Sequence, residues 1–212
     1  MRTSLRRRRP LRRALHQALR PALRQSLAAV LAVGGLAACS DPFEIKPNLE
    51  TIEASFTLYA FNGSAATAPT AAVLINTPQA TRMGNSYTFD FAFDVTEDGR
   101  TLLYPVDVVA SDIILPQNRF IGFQKATGQS YDQLVLAPTS GYTYGAPLEI
   151  AVGDVGFIQS NAHPLCTGSF TPVIYAKFRV DIVDTGARTV RLTVRSDPNC
   201  GFRGLGTGLP ER

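Results

Sequence analysis

Past residue 40 the chain holds one histidine, His163, two cysteines, Cys166 and Cys200, and a run of carboxylates at Asp90, Asp94, Glu97 and Asp98. A thiol near an imidazole has the composition of a nucleophile and its base. The same three side chains would also suffice as ligands for a zinc ion. The opposing reading is a loop histidine beside a half-cystine. In an exported chain two cysteines pair with each other first, which removes both thiolates and zinc ligands. The carboxylates offer oxygen ligands for calcium, or the paired acids of glycoside hydrolysis if they meet in space. Asp90 and Asp94, however, alternate with aromatics along one strand, which predicts a solvated polar face. No Gly-x-Ser-x-Gly, His-Glu-x-x-His or phosphate loop occurs, and no cofactor or metal is implied. The segment Ser140-Gly141-Tyr142-Thr143-Tyr144-Gly145 mixes rigid aromatic area with adaptable small residues, as recognition loops do. A binding role predicts that Tyr142 and Tyr144 are both exposed beside a concavity; the bland role is that the two rings cap the core.

The N-terminal segment carries a different chemistry. Nine arginines precede residue 25, and Leu27 to Ala38 are twelve residues without a charge, ending in Leu36-Ala37-Ala38-Cys39. An apolar run of twelve suits a secretory h-region of about 7–15 residues and falls short of the roughly 20 that a spanning helix needs. The tetrapeptide resembles the lipobox of bacterial lipoproteins. That resemblance covers residues 1–40 and implies cleavage before Cys39, a diacylglycerol on its thiol and an acylated amine. Ser40 in the following position fits outer-membrane sorting. Two or three acyl chains hold a protein firmly where one does not.

Removing residues 1–38 takes away nine arginines and no acid, leaving 12 Lys+Arg against 17 Asp+Glu. The basic character of the whole chain therefore belongs to the leader, and the acidic remainder argues against a nucleic-acid partner. The partners implied are a membrane, reached through acyl chains on Cys39, and an envelope protein or a glycan. Three segments follow: a leader over 1–38, a lipidated cysteine with a short tether over 39–50, and a single domain over 51–212.

The elements of that domain read as strands and turns. Tyr87, Phe89, Phe91, Phe93 and Val95 alternate with mostly polar residues up to the Glu97-Asp98-Gly99-Arg100 turn, and Thr101 to Ala110 returns as a second strand marked by Pro105. Lys177 to Asp184 and Arg188 to Arg195 form a hairpin about Thr185-Gly186-Ala187. Pairing Asp184 with Arg188 there sets Asp181 against Arg191, Val180 against Leu192 and Phe178 against Val194. Cys166 and Cys200 flank this hairpin, so their strands return them to one end and predict a disulfide. The tail after Gly201 reads as irregular. About nine short strands in antiparallel hairpins predict an all-β fold, a β-sandwich first and a closed barrel second. The leading function is a non-catalytic envelope lipoprotein with a structural or protein-interaction role. A ligand- or glycan-binding module at Tyr142/Tyr144 is the alternative, and a carboxylate hydrolase the third.

Overall fold

The computed structural model describes residues 46–74, 77–84, 86–115 and 119–210. The leader, Cys39 and the tether as far as Ile45 lie outside the described residues. Eleven strands are present among the described residues: β1 Ile52–Tyr59, β2 Ala71–Val73, β3 Gln79–Thr81, β4 Phe91–Val95, β5 Thr101–Pro105, β6 Phe120–Lys125, β7 Thr143–Tyr144, β8 Leu148–Glu149, β9 Val155–Asn161, β10 Val173–Asp184 and β11 Thr189–Asp197. One short helix, α1 Val106–Val109, follows β5. The strands form two antiparallel sheets, ordered β1-β11-β10-β9-β6-β7 and β3-β2-β4-β5-β8. They pack as a β-sandwich and do not close into a barrel, so the barrel alternative is set aside.

The inner faces meet in a core that includes Leu58, Phe91, Phe93, Ile121, Phe123, Ile158, Ile174, Phe178, Leu192 and Val194. Alternation along β10 sends Ile174, Ala176 and Phe178 into this core and Val173 and Tyr175 into a second cluster on the outer face of the larger sheet. Val155 and Phe157 of β9 share that second cluster, and Tyr131, Leu134, Ala137, Tyr142 and Leu205 complete it. The latter come from the segment before β7 and from the C-terminal tail. Among its described residues the tail has no strand but is tied down: Leu205 N–H donates to Val135 O at 2.8 Å and Ala137 N–H to Arg203 O at 2.8 Å.

Two local expectations fail for identifiable reasons. Pro105 has no N–H to continue a ladder, so β5 ends there and the chain turns into α1 instead of running on as strand. The β10–β11 loop holds four residues, Thr185 to Arg188, with Asp184 opposite Thr189. The extra loop residue is absorbed by a bulge at Asp181, between Val180 and Ile182, so Val180 still faces Leu192 and Phe178 still faces Val194. Asp181 does not face Arg191; it accepts from Arg179 Nε at 2.6 Å and from Thr193 Oγ1 at 2.6 Å.

Candidate functional site

Asp90 and Asp94 do not form a solvated face. Both are buried, because β4 is the middle strand of its sheet and covered on both sides. Each sits at one end of the strand and is bonded across to the other sheet. Asp90 Oδ1 accepts from Arg119 Nη2 at 2.5 Å and from Ser160 Oγ on β9 at 3.0 Å, while Oδ2 accepts from Leu74 N–H at 2.7 Å. His163 Nε2 stands 3.7 Å from the same Oδ1, longer than a hydrogen bond. Burial pushes the Asp90 carboxyl up, but the Arg119 guanidinium, His163 and the Leu74 amide outweigh it and hold it at about 2. Asp94, at the far end, accepts from Asn62 Nδ2 at 2.5 Å and from Arg188 Nη2 at 3.2 Å. Arg188 Nη2 donates as well to Asn62 O at 3.0 Å and Val95 O at 2.8 Å. The two carboxylates thus pin the sheets together, one at each end.

Ser160, His163 and Asp90 are the residue types of a hydrolase triad, yet they are arranged differently. Ser160 donates to Asp90 rather than to His163, and all three side chains are sealed from solvent. His163 Nδ1 accepts from Leu165 N–H at 3.3 Å, capping the 3-10 helical turn Pro164–Cys166. Asp98 is exposed and pairs with Arg100 at 2.8 Å. Asp90, Asp94 and Asp98 therefore meet three different arginines and do not converge. Among the described residues no group of three or more His, Cys, Asp and Glu side chains is placed to hold a metal ion.

Cys166 and Cys200 are joined as a disulfide with Cα atoms 5.6 Å apart. The bridge lies where the chain enters the domain. Asn199 Oδ1 accepts from Asn48 N–H at 3.0 Å and Leu49 N–H at 3.1 Å, and its Nδ2 donates to Leu49 O at 2.7 Å. Beside it, buried Asp197 uses Oδ1 to accept from Asn199 N–H at 2.8 Å, while among the described residues Oδ2 has no hydrogen-bond partner. Burial pushes the Asp197 carboxyl up to about 6 against the pull of the Asn199 bonds.

The tyrosine loop divides. Tyr142 is buried in the second cluster and its hydroxyl donates to Pro138 O at 3.2 Å, so the expectation that both rings are exposed fails there. Tyr144 is 42% exposed, bonds through its hydroxyl to Gln159 and packs edge-on against Phe120, itself 40% exposed, with centroids 5.2 Å apart. Gly122 makes room for it: a Cβ there would run into the Tyr144 ring. Tyr142 was not separable from Tyr144 in sequence: two residues apart, they share one face with ring centroids 6.3 Å apart, and the difference is that Tyr142 is covered by the second cluster while Tyr144 stays at the sheet edge where β7 pairs with β6.

By fold the chain is a disulfide-bridged antiparallel β-sandwich. Comparison with protein-family models, with curated proteins and with solved structures finds no match.

Proposed function

We propose that the chain is a bacterial envelope lipoprotein, cleaved before Cys39, acylated on that residue and sorted to the outer membrane. Its β-sandwich then serves a non-catalytic structural or protein-interaction role. The observation that carries this reading is Leu36-Ala37-Ala38-Cys39 at the end of an uncharged run behind an arginine-rich segment. The described chain supports it in one respect: residues 48 and 49 are fastened to the domain by Asn199, beside the disulfide. A pull on the tether is thereby passed into the bridged end of the sandwich. No helix of the described residues is long and apolar enough to cross a membrane.

Fractionation of cells expressing the full chain tests the anchor. The wild type is expected in the membrane pellet and Cys39→Ala in the soluble or precursor fraction. Cys39→Ala protein that is processed yet still pellets with membranes contradicts the assignment.

A second reading, a ligand- or glycan-binding module, is favoured by the exposed pair Phe120 and Tyr144. Two rings at a sheet edge offer stacking area for a sugar face. A photo-crosslinker at Tyr144 separates the readings. A captured envelope protein supports the interaction role, and a captured polysaccharide supports the module. The third reading, a hydrolase, needs Asp90, Asp94 and Asp98 to converge, and each of the three is paired with a different arginine.

A further inference from the structure

The two ends of the sandwich differ in chemistry. The end holding the β4–β5 and β10–β11 turns exposes Glu97, Asp98, Arg100 and Asp184. The opposite end is built from the chain entrance, the segment from Ser111 to Leu115 before β6 and the β9–β10 connection from Ala162 to Pro172. These pieces lie together. Asn199 holds Leu49 and the Cys166–Cys200 bridge holds the β9–β10 connection beside it. Leu115 and Arg119 line a small cavity of about 110 Å³ with Ala162 and Pro164. The β9–β10 connection contains no Asp, Glu, Lys or Arg, and its His163 is buried. At this end Phe170 is 99% exposed and Ile114 89% exposed, flanked by exposed Leu165 and Ile113.

Large apolar side chains held fully in water at one end of a bridged loop call for an apolar surface to meet them. The position of the chain entrance says which. Only six residues separate Cys39 from Lys46, and seven extended links reach at most about 25 Å. Acyl chains on Cys39 would therefore hold this end, and not the charged one, next to the bilayer. We infer that the loop end carrying Phe170 and Ile114 rests in the interface of the phospholipid membrane, so that the domain is oriented on the surface and does not swing freely from its tether. The inference rests on the acylation of Cys39 proposed above. Acyl chains supply the affinity; Phe170 and Ile114 supply the orientation.

The test uses the full chain expressed in bacteria and the acylated protein purified from the membrane fraction. It is reconstituted in vesicles of phosphatidylethanolamine and phosphatidylglycerol that contain a phospholipid spin-labelled in its acyl chain. An environment-sensitive fluorescent side chain is introduced at position 170 or, as a control at the opposite end, at position 186. The expected result is loss of most of the fluorescence at 170 with none beyond the solvent background at 186. Equal, weak quenching at both positions in membrane-bound protein overturns the inference and leaves the anchor standing. A probe at 170 shielded from water but not quenched by lipid overturns it in favour of a protein partner. Protein lacking acyl chains and recovered outside the membrane fraction overturns the anchor reading and this inference together.

Discussion

Removal of the Asp90 carboxylate gives the sharpest test of how the sandwich is held. In Asp90→Ala the Arg119 guanidinium, 4% exposed, stays buried without its countercharge, and Ser160 Oγ and the Leu74 amide lose their acceptor. Breaking a buried pair on one side costs about 3–5 kcal/mol. Replacing Arg119 in the same protein removes the stranded charge, so Asp90→Ala/Arg119→Met is expected to be less destabilised than the sum of the two single variants, by at least ~1 kcal/mol. The pH dependence points the same way. The carboxyl sits at about 2 in the folded chain against its ordinary 3.8. A lowered folded value stabilises the fold above the unfolded pKa and loses that contribution as pH falls through the folded one; the difference corresponds to about 2 kcal/mol. Urea unfolding of wild type, both single variants and the double variant at pH 7, with the disulfide intact, measures the costs and the coupling, and repeating it for wild type and Asp90→Ala at falling pH towards about 2 measures the pH contribution. A single Asp90→Ala within about 0.5 kcal/mol of wild type, or strictly additive variants, would refute the claim that this carboxylate joins the sheets.

Three further outcomes are expected. Asp197 has its carboxyl raised to about 6, so the folded chain holds a proton that the unfolded chain has released, and stability falls as pH rises from about 4 through 6. Asp197→Asn is expected to flatten that slope and raise the melting temperature at pH 8; an unchanged slope in thermal scans from pH 4 to 8 contradicts it. Cys166→Ser/Cys200→Ser opens a loop with a sequence separation of 34, which the chain-entropy account values at about 4 kcal/mol. Chemical denaturation reads that loss, and a change under about 1 kcal/mol goes against it. Gly122→Val places a side chain where the Tyr144 ring and the Tyr142 Cβ lie. It is expected to destabilise by about 1–3 kcal/mol; in the wild type Tyr144 is expected to be iodinated while Tyr142 stays protected, and equal labelling of both wild-type rings argues against the division of this loop.

The alternation of the last hairpin was legible because its core face is continuous. Phe178, Val180, Leu192 and Val194 find one another whatever the loop does, and the bulge at Asp181 absorbs the added residue. The charged partners were not legible, since a single bulge re-aims Asp181 while leaving the apolar register unchanged. Asp90 and Asp94 misled for a different reason. Alternation distinguishes two faces of a strand but does not tell whether the second is wet, and β4 is a central strand covered on both sides. Their partners Arg119, Ser160, Asn62 and Arg188 come from distant segments, so no local pattern joins them. The cysteine pair was within reach because both residues flank one hairpin. Tyr142 and Tyr144 share a motif and a face but differ in burial, because segments distant in the chain, carrying Tyr131, Leu134 and Leu205, cover Tyr142 and leave Tyr144 at the edge.

The most direct measurement is the intact mass and N-terminal fragment spectrum of the protein recovered from bacterial membranes. The lipoprotein reading requires a chain beginning at Cys39 and carrying a diacylglycerol, with or without a third acyl chain on the amine. A chain that begins elsewhere, or Cys39 with an unmodified thiol, contradicts it.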